Sequence, residues 1–441
     1  MRTPLLSYGF KNWFSFYPKT GKIKAAALFY AIFISLIIGL ISSALIFYSL
    51  TDSKRNFDIL SQRQVVKNAE SGLNMLLSSD NLSPQLHEEQ VINLYDGAND
   101  TVLLKREAWG AFELLVSKGY SRKYKTYKTA FAGIDPEQKH HIAIYLADHN
   151  KPLSVCGETF IEGDCILPKS GVKRAYIEGK SFKGEKMIHG ETTVSNKHIP
   201  ELYDPFLNHA SKMLLSPTSL TDSIIHVDMM REKYVKNSFT NKAVLYLNEE
   251  TIELYDEFIG KVIFFSEHSI AVSKYATLED VILIAPSIYI ESGFEGTLQA
   301  FAHDTLYVGK KVRLHYPSSL NLIRTGDSPL KISLEIDESC MIEGSVLSYQ
   351  QSESAGQRIR TMIHPNTTIR GHLIAKGEVE LMGSVEGTVI CEKFILHTKS
   401  SVYENHLMDA TVSYPQLSEY FAGSFYIDYS TKKRKIAKWL N

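Results

Sequence analysis

Glu335 and Asp337 are the residues whose type and spacing come closest to a catalytic arrangement. In a β-strand every second side chain points to the same face, so these carboxylates would project outward while Leu334 and Ile336 point inward. Two carboxylates can supply a general acid and a general base, as polysaccharide-cleaving enzymes require. A solvated strand face produces the same pattern, and no second acidic cluster accompanies the pair. We therefore predict no catalytic residues and no enzymatic activity.

The four cysteines have a spacing that favours packing over chemistry. The chain contains no CxxC pair, so neither a zinc site nor a redox site is predicted. Cys156 and Cys165 lie nine residues apart and could form a disulfide outside the cytoplasm. The alternative is that both are buried apolar side chains, which free cysteines commonly are. Cys340 and Cys391 are expected to pack within strands.

The remaining groups that could bind ligands also lack a diagnostic arrangement. His140, His141 and His149 bracket one predicted strand without the spacing of metal ligands, and we expect them to be solvated. The phosphate-binding patterns GxxxxGK[ST] and GxGxxG and the serine elbow GxSxG are absent. The sequence thus predicts no catalytic, cofactor-binding or metal site, and no cofactor.

Short strands in an 18-residue repeat are the elements that would position these side chains. Residues 263–265, 281–283 and 299–301 recur at this constant interval, and a second series at 270, 288 and 306 has the same interval. Apolar residues alternate within both series, as in strands. A repeat this short cannot bury its own apolar face and must stack on its neighbours. We predict a mainly β chain with a parallel β-helix. We prefer the right-handed form because no strict six-residue motif is present, although an 18-residue coil also suits the left-handed form.

A recurring word, I/V-x-G-x-x-I/L, marks the same architecture nearer the C-terminus. Its four full copies are centred on Gly163, Gly344, Gly371 and Gly387. Glycine is expected at a tight bend where a Cβ atom would crowd the next coil. Cys165 occupies the position that valine or leucine holds in the other copies, which favours its burial.

Residues 377–390, GEVELMGSVEGTVI, resemble the bactofilins, the polymer-forming β-helix proteins of the bacterial cytoskeleton. The close match spans about residues 363–396. The resemblance implies a parallel β-helix and, in a cytoplasm-facing arrangement, polymerisation.

The N-terminal segment predicts a membrane anchor. Residues 25–50 contain no charge, and about 20 apolar residues suffice to cross a bilayer as a helix. Residues 1–24 carry five basic residues and no acid, so the positive-inside rule places this leader in the cytoplasm. We predict a single-pass protein of the inner (cytoplasmic) membrane with its bulk in the periplasm. A cleaved signal peptide, with Ser42, Ser43 and Ala44 near its cleavage site, is the alternative.

An extended helix and linker are predicted over residues 51–99, because Val66, Ala69, Leu73 and Leu76 form a helical stripe. Short alternating strands then predict an antiparallel meander over residues 100–150.

The segments 24–28 (KAAAL) and 109–114 (WGAFEL), in this order of elements, resemble the minor pseudopilins. Pilins have a glycine before the apolar run and a glutamate inside it, whereas this chain has basic residues at 22–24 and no acid in the run. The resemblance therefore does not extend to processing by a prepilin peptidase or to insertion into a filament.

The predicted β-helix covers residues 151–418, with an insertion at about 200–248 that contains a helical piece near 229–235. A second insertion is predicted at 350–358. Residues 419–441 are predicted to form an aromatic cap over the last coil and a basic, frayed tail.

These predictions favour a membrane-anchored, non-catalytic scaffold of the bacterial envelope, with a structural, assembly or adhesive role in a secretion or pilus-like system. The alternatives are a carbohydrate-active β-helix enzyme and a cytoplasm-facing polymerising scaffold. Expected partners are the membrane and proteins of an envelope assembly, with self-association as a further option. Nucleic acid is not an expected partner, because the net charge is −1 and the bulk is placed outside the cytoplasm.

Overall fold

A computed structural model describes residues 25–78, 86–94, 100–136, 141–221, 223–227, 233–324, 333–351, 358–426 and 433–440. The predicted basic leader, His140 and most of the segments 229–235 and 350–358 lie outside the described residues. The described chain is mainly β, with a long N-terminal helix. In chain order the elements are α1 (Ala25–Ser78), β1 (Glu89–Asn93), β2 (Thr101–Trp109), β3 (Phe112–Ser121), β4 (Tyr124–Ile134), β5 (Ile142–Leu146), β6 (Leu153–Cys156), β7 (Phe160–Glu162), β8 (Asp164–Leu167), β9 (Val172–Arg174), β10 (Tyr176–Ile177), β11 (Lys180–Ser181), β12 (Thr192–Val194), α2 (Asp204–Leu215), a 3₁₀ helix (Pro217–Leu220), β13 (Ile224–His226), β14 (Tyr234–Asn237), β15 (Val244–Asn248), β16 (Ile252–Leu254), β17 (Glu257–Gly260), β18 (Val262–Ser266), β19 (Ser269–Val272), β20 (Thr277–Ile290), β21 (Glu295–Val308), β22 (Arg313–Arg324), β23 (Ser333–Ile336), β24 (Met341–Gln350), β25 (Arg360–Ile363), β26 (Thr368–Leu381), β27 (Ser384–His397), β28 (Val402–Glu404), β29 (His406–Met408), β30 (Thr411–Ser413) and β31 (Arg434–Leu440).

The first part of α1 is apolar around its whole circumference, and its side chains from Leu28 to Leu50 are exposed. By length and composition this helix is long and apolar enough to cross a membrane. The compact unit to which it belongs ends at Arg63, and a second unit begins at Gln64.

In the second unit, the end of α1 packs against an antiparallel sheet. Val65, Ala69, Leu73 and Leu76 are buried, whereas Val66 is exposed, so the predicted stripe is correct except at its first member. On the sheet, the buried partners in the same cluster are Val102, Leu104, Leu115, Ala130 and Ala132.

The sheet has the strand order β1-β2-β3-β4-β31, with every pair antiparallel. Its last strand comes from the C-terminus: Leu440 is in register with Thr129, and the Thr129 hydroxyl donates to the Leu440 carbonyl at 2.6 Å. The described part of the predicted frayed tail is therefore a paired strand. The prediction failed because β31 is basic and looks solvated until its partner, in the first third of the chain, is known.

The rest of the second unit is dominated by a ladder of parallel strands in three stacks, which we call the ladder. In one stack, Ile270 pairs with Ile288 and Ile288 with Leu306, so the predicted spacing is confirmed there. In the neighbouring stack Ile263 pairs with Ile282, one residue later than predicted. In the next pairing of this stack Val281 meets Leu298, one residue earlier than predicted. The register shifts there at a bulge between Glu279 and Val281, where Asp280 has a φ of +61°.

One column of side chains runs through the interior of the ladder. Its register joins residues at the same position of ten successive coils: Tyr246, Phe264, Leu283, Ala300, Leu320, Val346, Leu373, Val389, Ile144 and Cys165. All ten are buried in one apolar cluster. Cys165 thus occupies the inward position predicted for it.

The glycines of the recurring word also stack. Gly344, Gly371 and Gly387 are in register, with φ between +144° and +148°. A Cβ atom on Gly371 would overlap the carbonyl oxygen of Gly344, and one on Gly387 would overlap that of Gly371. The predicted crowding by the adjacent coil is confirmed, because only glycine fits both this conformation and this contact.

The stacking order of the coils differs from their order in the chain. β5 pairs in parallel with β27, then β8 with β5, and β12 with β8. The strands β5 to β9 and β12 thus extend the parallel stacks beyond the C-terminal coil, whereas β10 and β11 form a separate antiparallel pair. The predicted meander of residues 100–150 is wrong at β5, which belongs to the ladder.

Residues 200–248 also differ from the prediction of an insertion that leaves the repeat. The helix in this region is α2, at Asp204–Leu215, and it buries Phe206, Leu207, Ala210, Met213 and Leu214. β13, β14 and β15 are already strands of the ladder, and Val235, expected in a helix, lies in β14.

The predicted aromatic cap lies along the side of the ladder. Phe421 packs on the rings of Tyr316 and His372, which belong to different coils. The Tyr316 hydroxyl donates to the Ala422 carbonyl at 2.9 Å. β27, in the last long coil of the chain, is covered by β5 and β30, so residues 419–426 do not cap it.

Candidate functional site

One outward face of the ladder is apolar and covered. Its register column consists of Leu247, Phe265, Ile284, Phe301, Asn321, Leu347, Ile374, Ile390 and Tyr145. From Ile284 to Ile390, the apolar members belong to a cluster with residues of β2 and β3, α2, Phe425 and Tyr426. The antiparallel sheet therefore uses both faces, one against α1 and one against the ladder.

Polar contacts fix the sheet on this face. The Trp109 indole N–H donates to the Asp280 carbonyl at 3.2 Å, so the bulge supplies an acceptor. Gln299 accepts from the Ala111 N–H at 2.7 Å and donates to the Trp109 carbonyl at 3.0 Å. Gln299 is 2% exposed, and these bonds satisfy an amide that would otherwise be costly to bury.

Charged side chains border the same contact. Glu107 on β2 lies 2.6 Å from the Lys261 ammonium and 2.5 Å from that of Lys105. Burial alone would raise the pKa of Glu107, but the two lysines outweigh it and lower that pKa. On the other side, Lys438 of β31 lies 2.8 Å from Asp280, whose pKa is raised because burial outweighs the lysine.

Beside this contact the sheet, the ladder and α2 line an open cavity of about 900 Å³. We call it the sheet–ladder cavity. It is lined by Leu86, His87, Glu89, Leu103, Lys105, Glu107, Ala108, Trp109, Val116, Lys118, Tyr127, Pro205, Asn208, His209, Lys212, Met213, Leu220, Thr221, Phe239, Thr240, Asn241, Lys242, Ala243, Lys261, Ile263 and Ile282.

Two histidines from distant segments meet in the sheet–ladder cavity. The rings of His87 and His209 have centroids 5.5 Å apart. Burial, followed by the charges of His87 and Lys212, lowers the pKa of His209 to about 4. Burial also lowers the pKa of His87; Glu107 opposes that shift, and Lys212 and Lys105 add to it. Both rings are therefore neutral at pH 7, and the cavity can offer imidazole, ammonium and aromatic groups to a ligand.

The carboxylates singled out in the sequence lie on a different face of the ladder and contact different partners. Glu335 lies 2.8 Å from a ring nitrogen of His364, and Asp337 accepts from the Tyr307 hydroxyl at 3.0 Å. Burial and this hydrogen bond raise the pKa of Tyr307 to about 12. Burial would raise the pKa of Asp337, but hydrogen bonds from the Glu338 N–H and Tyr307 lower it overall.

The cysteines are free and buried, so Cys156 and Cys165 form no disulfide in this structure. Burial raises the pKa of Cys165 to about 12, which makes it a poor nucleophile. Cys391 lies in β27, as expected, whereas Cys340 is buried between β23 and β24 and not within a strand, and its thiol donates to the Gly309 carbonyl.

Two of the three histidines considered in the sequence are described: His141 is exposed, as expected, whereas His149 is half-buried. His149 lies 3.0 Å from Glu392, and the His141 ring packs on Tyr414. Within the described ranges, no group of three His, Cys, Asp or Glu side chains could hold a metal ion.

Comparisons with known proteins give no family for this chain. No protein-family model and no curated protein matches it. Among solved structures, the crystal structure of the competence-associated pilin ComZ from Thermus thermophilus is aligned at 12% identity, with a TM-score of 0.21, over 86% of this chain and 97% of that one. A TM-score this low carries no argument about fold or function.

Proposed function

We propose that this protein is a membrane-anchored, non-catalytic scaffold of the bacterial cell envelope. The observation that carries the proposal is α1, whose apolar first part exposes its side chains continuously from Leu28 to Leu50. Exposed apolar surface of this extent is stable only in a bilayer or against another protein. The order of apolar helix, helix packed on an antiparallel sheet, and large β body supports a place in a secretion or pilus-like assembly.

We interpret the ladder as a parallel β-helix. The support is the repeated parallel pairing of each coil with the next, together with the inward apolar column and the glycine column. Such a body is rigid and offers long outer faces for partners. Its role would be to hold envelope proteins, or further copies of itself, at the inner membrane.

Thiol labelling tests the orientation, and extraction with alkaline carbonate tests the membrane attachment. The native cysteines are buried, so wild-type protein should label weakly with a membrane-impermeant maleimide, whereas Lys274→Cys adds one exposed thiol on a ladder turn. With the body in the periplasm, the variant labels in intact spheroplasts as strongly as after lysis. Labelling only after lysis would contradict the proposed orientation, and release of the protein by alkaline carbonate would contradict the anchor.

The polymerising alternative rests on the ends of the ladder. Among the described residues, β12 pairs only with β8 and β13 only with β15, so each end presents a strand that a second copy could extend. Sedimentation of the full chain in detergent distinguishes the two: a single monomeric species excludes end-to-end assembly, and a concentration-dependent series of larger species supports it.

A further inference from the structure

We propose that the sheet–ladder cavity binds a small organic anion that carries an apolar body, with Lys118 and Lys212 facing its charge and Trp109 and Phe239 its body. This inference is independent of the scaffold role and would hold in either membrane orientation.

The first support is the charge of the cavity wall. Five lysines and two glutamates line the cavity. Glu107 is neutralised by Lys105 and Lys261, and Glu89 also lies 3.2 Å from Lys105. The wall therefore keeps an excess of positive charge, and a concave low-dielectric surface concentrates such a field.

The second support is the position of Lys118 and Lys212. They project from opposite walls, β3 and α2, and among the described residues neither has a carboxylate within 4.0 Å. Lys118 lies instead over the rings of Tyr120 and Tyr127, 4.9 and 5.2 Å from their centroids. These ammonium groups can engage an incoming carboxylate or phosphate without first breaking an ion pair.

The third support is the apolar part of the wall. Trp109 and Phe239 meet edge to face with centroids 5.5 Å apart, and Val116, Met213, Ile263 and Ile282 continue the apolar surface. A volume of about 900 Å³ lies within the range of small-molecule sites. Such a wall favours a carboxylate or phosphate attached to an aromatic or branched aliphatic group over inorganic phosphate.

The test uses ¹⁹F NMR line broadening with the full chain in nanodiscs of zwitterionic lipid, after subtraction of empty nanodiscs. The probe is 4-(trifluoromethyl)benzoate, compared with uncharged 4-(trifluoromethyl)benzamide and with trifluoroacetate, which lacks the apolar body. We expect saturable broadening of the benzoate alone. The double variant Lys118→Gln/Lys212→Gln should weaken its binding by about tenfold, and the matched exposed pair Lys274→Gln/Lys399→Gln should leave it unchanged.

A second pair of variants removes any dependence on the lysine substitutions. Leu103 lies half-exposed in the cavity wall, so Leu103→Asp adds a negative charge that repels an anion without disturbing a buried position, and Leu103→Met keeps the side chain uncharged. We expect Leu103→Asp to abolish benzoate broadening and Leu103→Met to retain it. The proposal would be overturned if the wild type showed no saturable binding of the benzoate, or if the benzamide were broadened equally. It would also be overturned if benzoate binding were unchanged in both the double variant and Leu103→Asp.

Discussion

The ladder and the five-stranded antiparallel sheet are both β structures, but they are assembled from the chain in opposite ways. Most ladder strands pair with a strand of the next coil, so that Ile270 meets Ile288 and Thr368 meets Ser384. In the sheet, β4 pairs with β31, which lies at the far end of the chain. The ladder thus repeats one local rule many times, whereas closure of the sheet depends on a single distant strand.

The difference shows in how each region is stabilised. The ladder spreads its burial over columns of similar side chains, so its interior is a repeat of the same apolar contact. The sheet joins β31 through a buried charge cluster, in which Glu113 contacts both Arg106 and Arg434 and all three side chains are at most 4% exposed. Local substitutions should therefore act differently in the two regions, as the following changes test in order of expected size.

Glu113→Ala should have the largest effect, because it removes the carboxylate that two buried guanidinium groups contact. We expect a loss of about 4 kcal/mol in the free energy of unfolding, with early release of β31. Urea unfolding and limited proteolysis of the C-terminus measure the two effects. Glu253→Ala, an exposed carboxylate on the ladder, is the control; equal losses would show that the sheet has no special dependence on this cluster.

Gly371→Ala tests the ladder. The added Cβ atom would overlap the Gly344 carbonyl and occupy a backbone conformation at φ +144°, so we expect about 3 kcal/mol of destabilisation. Gly171→Ala is the matched control, since its φ is +68° but nothing lies within 4 Å of the new atom. It should cost about 1 kcal/mol. Similar unfolding midpoints for both variants would argue against crowding by the adjacent coil.

Lowering the pH tests the boundary where α2 meets the sheet. In the folded protein the pKa of His209 is about 4, below its ordinary value of 6.5. Between pH 6.5 and 4 the unfolded state therefore binds a proton that the folded state does not. The free energy of unfolding falls as the pH is lowered, by up to about 3 kcal/mol at pH 4. A plot of the free energy of unfolding against pH should be flatter for His209→Gln than for the wild type. His268→Gln, at an exposed position, should leave the slope of this plot unchanged.

Arg370→Ala should have the smallest effect. Arg370 lies 3.0 Å from Glu343 and 2.6 Å from Glu386 on three successive coils, but its side chain is 47% exposed. We expect about 0.5 kcal/mol in low salt and less in high salt, because exposed ion pairs are screened. A loss as large as that of Glu113→Ala would mean that surface ion pairs stabilise the ladder as strongly as the buried cluster stabilises the sheet.

The sequence predicted the ladder well wherever one short pattern repeated. The regular spacing of Ile270, Ile288 and Leu306 and the inward place of Cys165 are local consequences of strand period. The interval departs from 18 residues by one where Ile263 meets Ile282 and again where Val281 meets Leu298. The bulge at Asp280 accompanies the second departure, and no composition rule marks it. The run Val-Ile-Leu-Ile-Ala at 281–285 could have warned that this strand is buried on both faces.

The candidate site could not be predicted, because it exists only where distant segments meet. His87 precedes β1, Lys118 lies in β3, His209 lies in α2 and Lys261 lies between β17 and β18. These four residues share no motif. The amphipathic pattern of α2, with Phe206, Leu207, Ala210, Met213 and Leu214 on one side, was the available signal for its position. The pairing of β31 left no such signal, since a basic strand with one tryptophan resembles a solvated terminus.

The pairing of β5 with β27 has a consequence for how the protein is made. The residues of β5 leave the ribosome long before their partner does, and β4 waits even longer for β31. The apolar first part of α1 precedes all of these strands in the chain, so as the proposed membrane anchor it can be inserted while the remainder is still being translated. The body it holds reaches its native state only after the last residues have been delivered, and a nascent chain stalled anywhere before them would expose unpaired strand edges to chaperones and proteases.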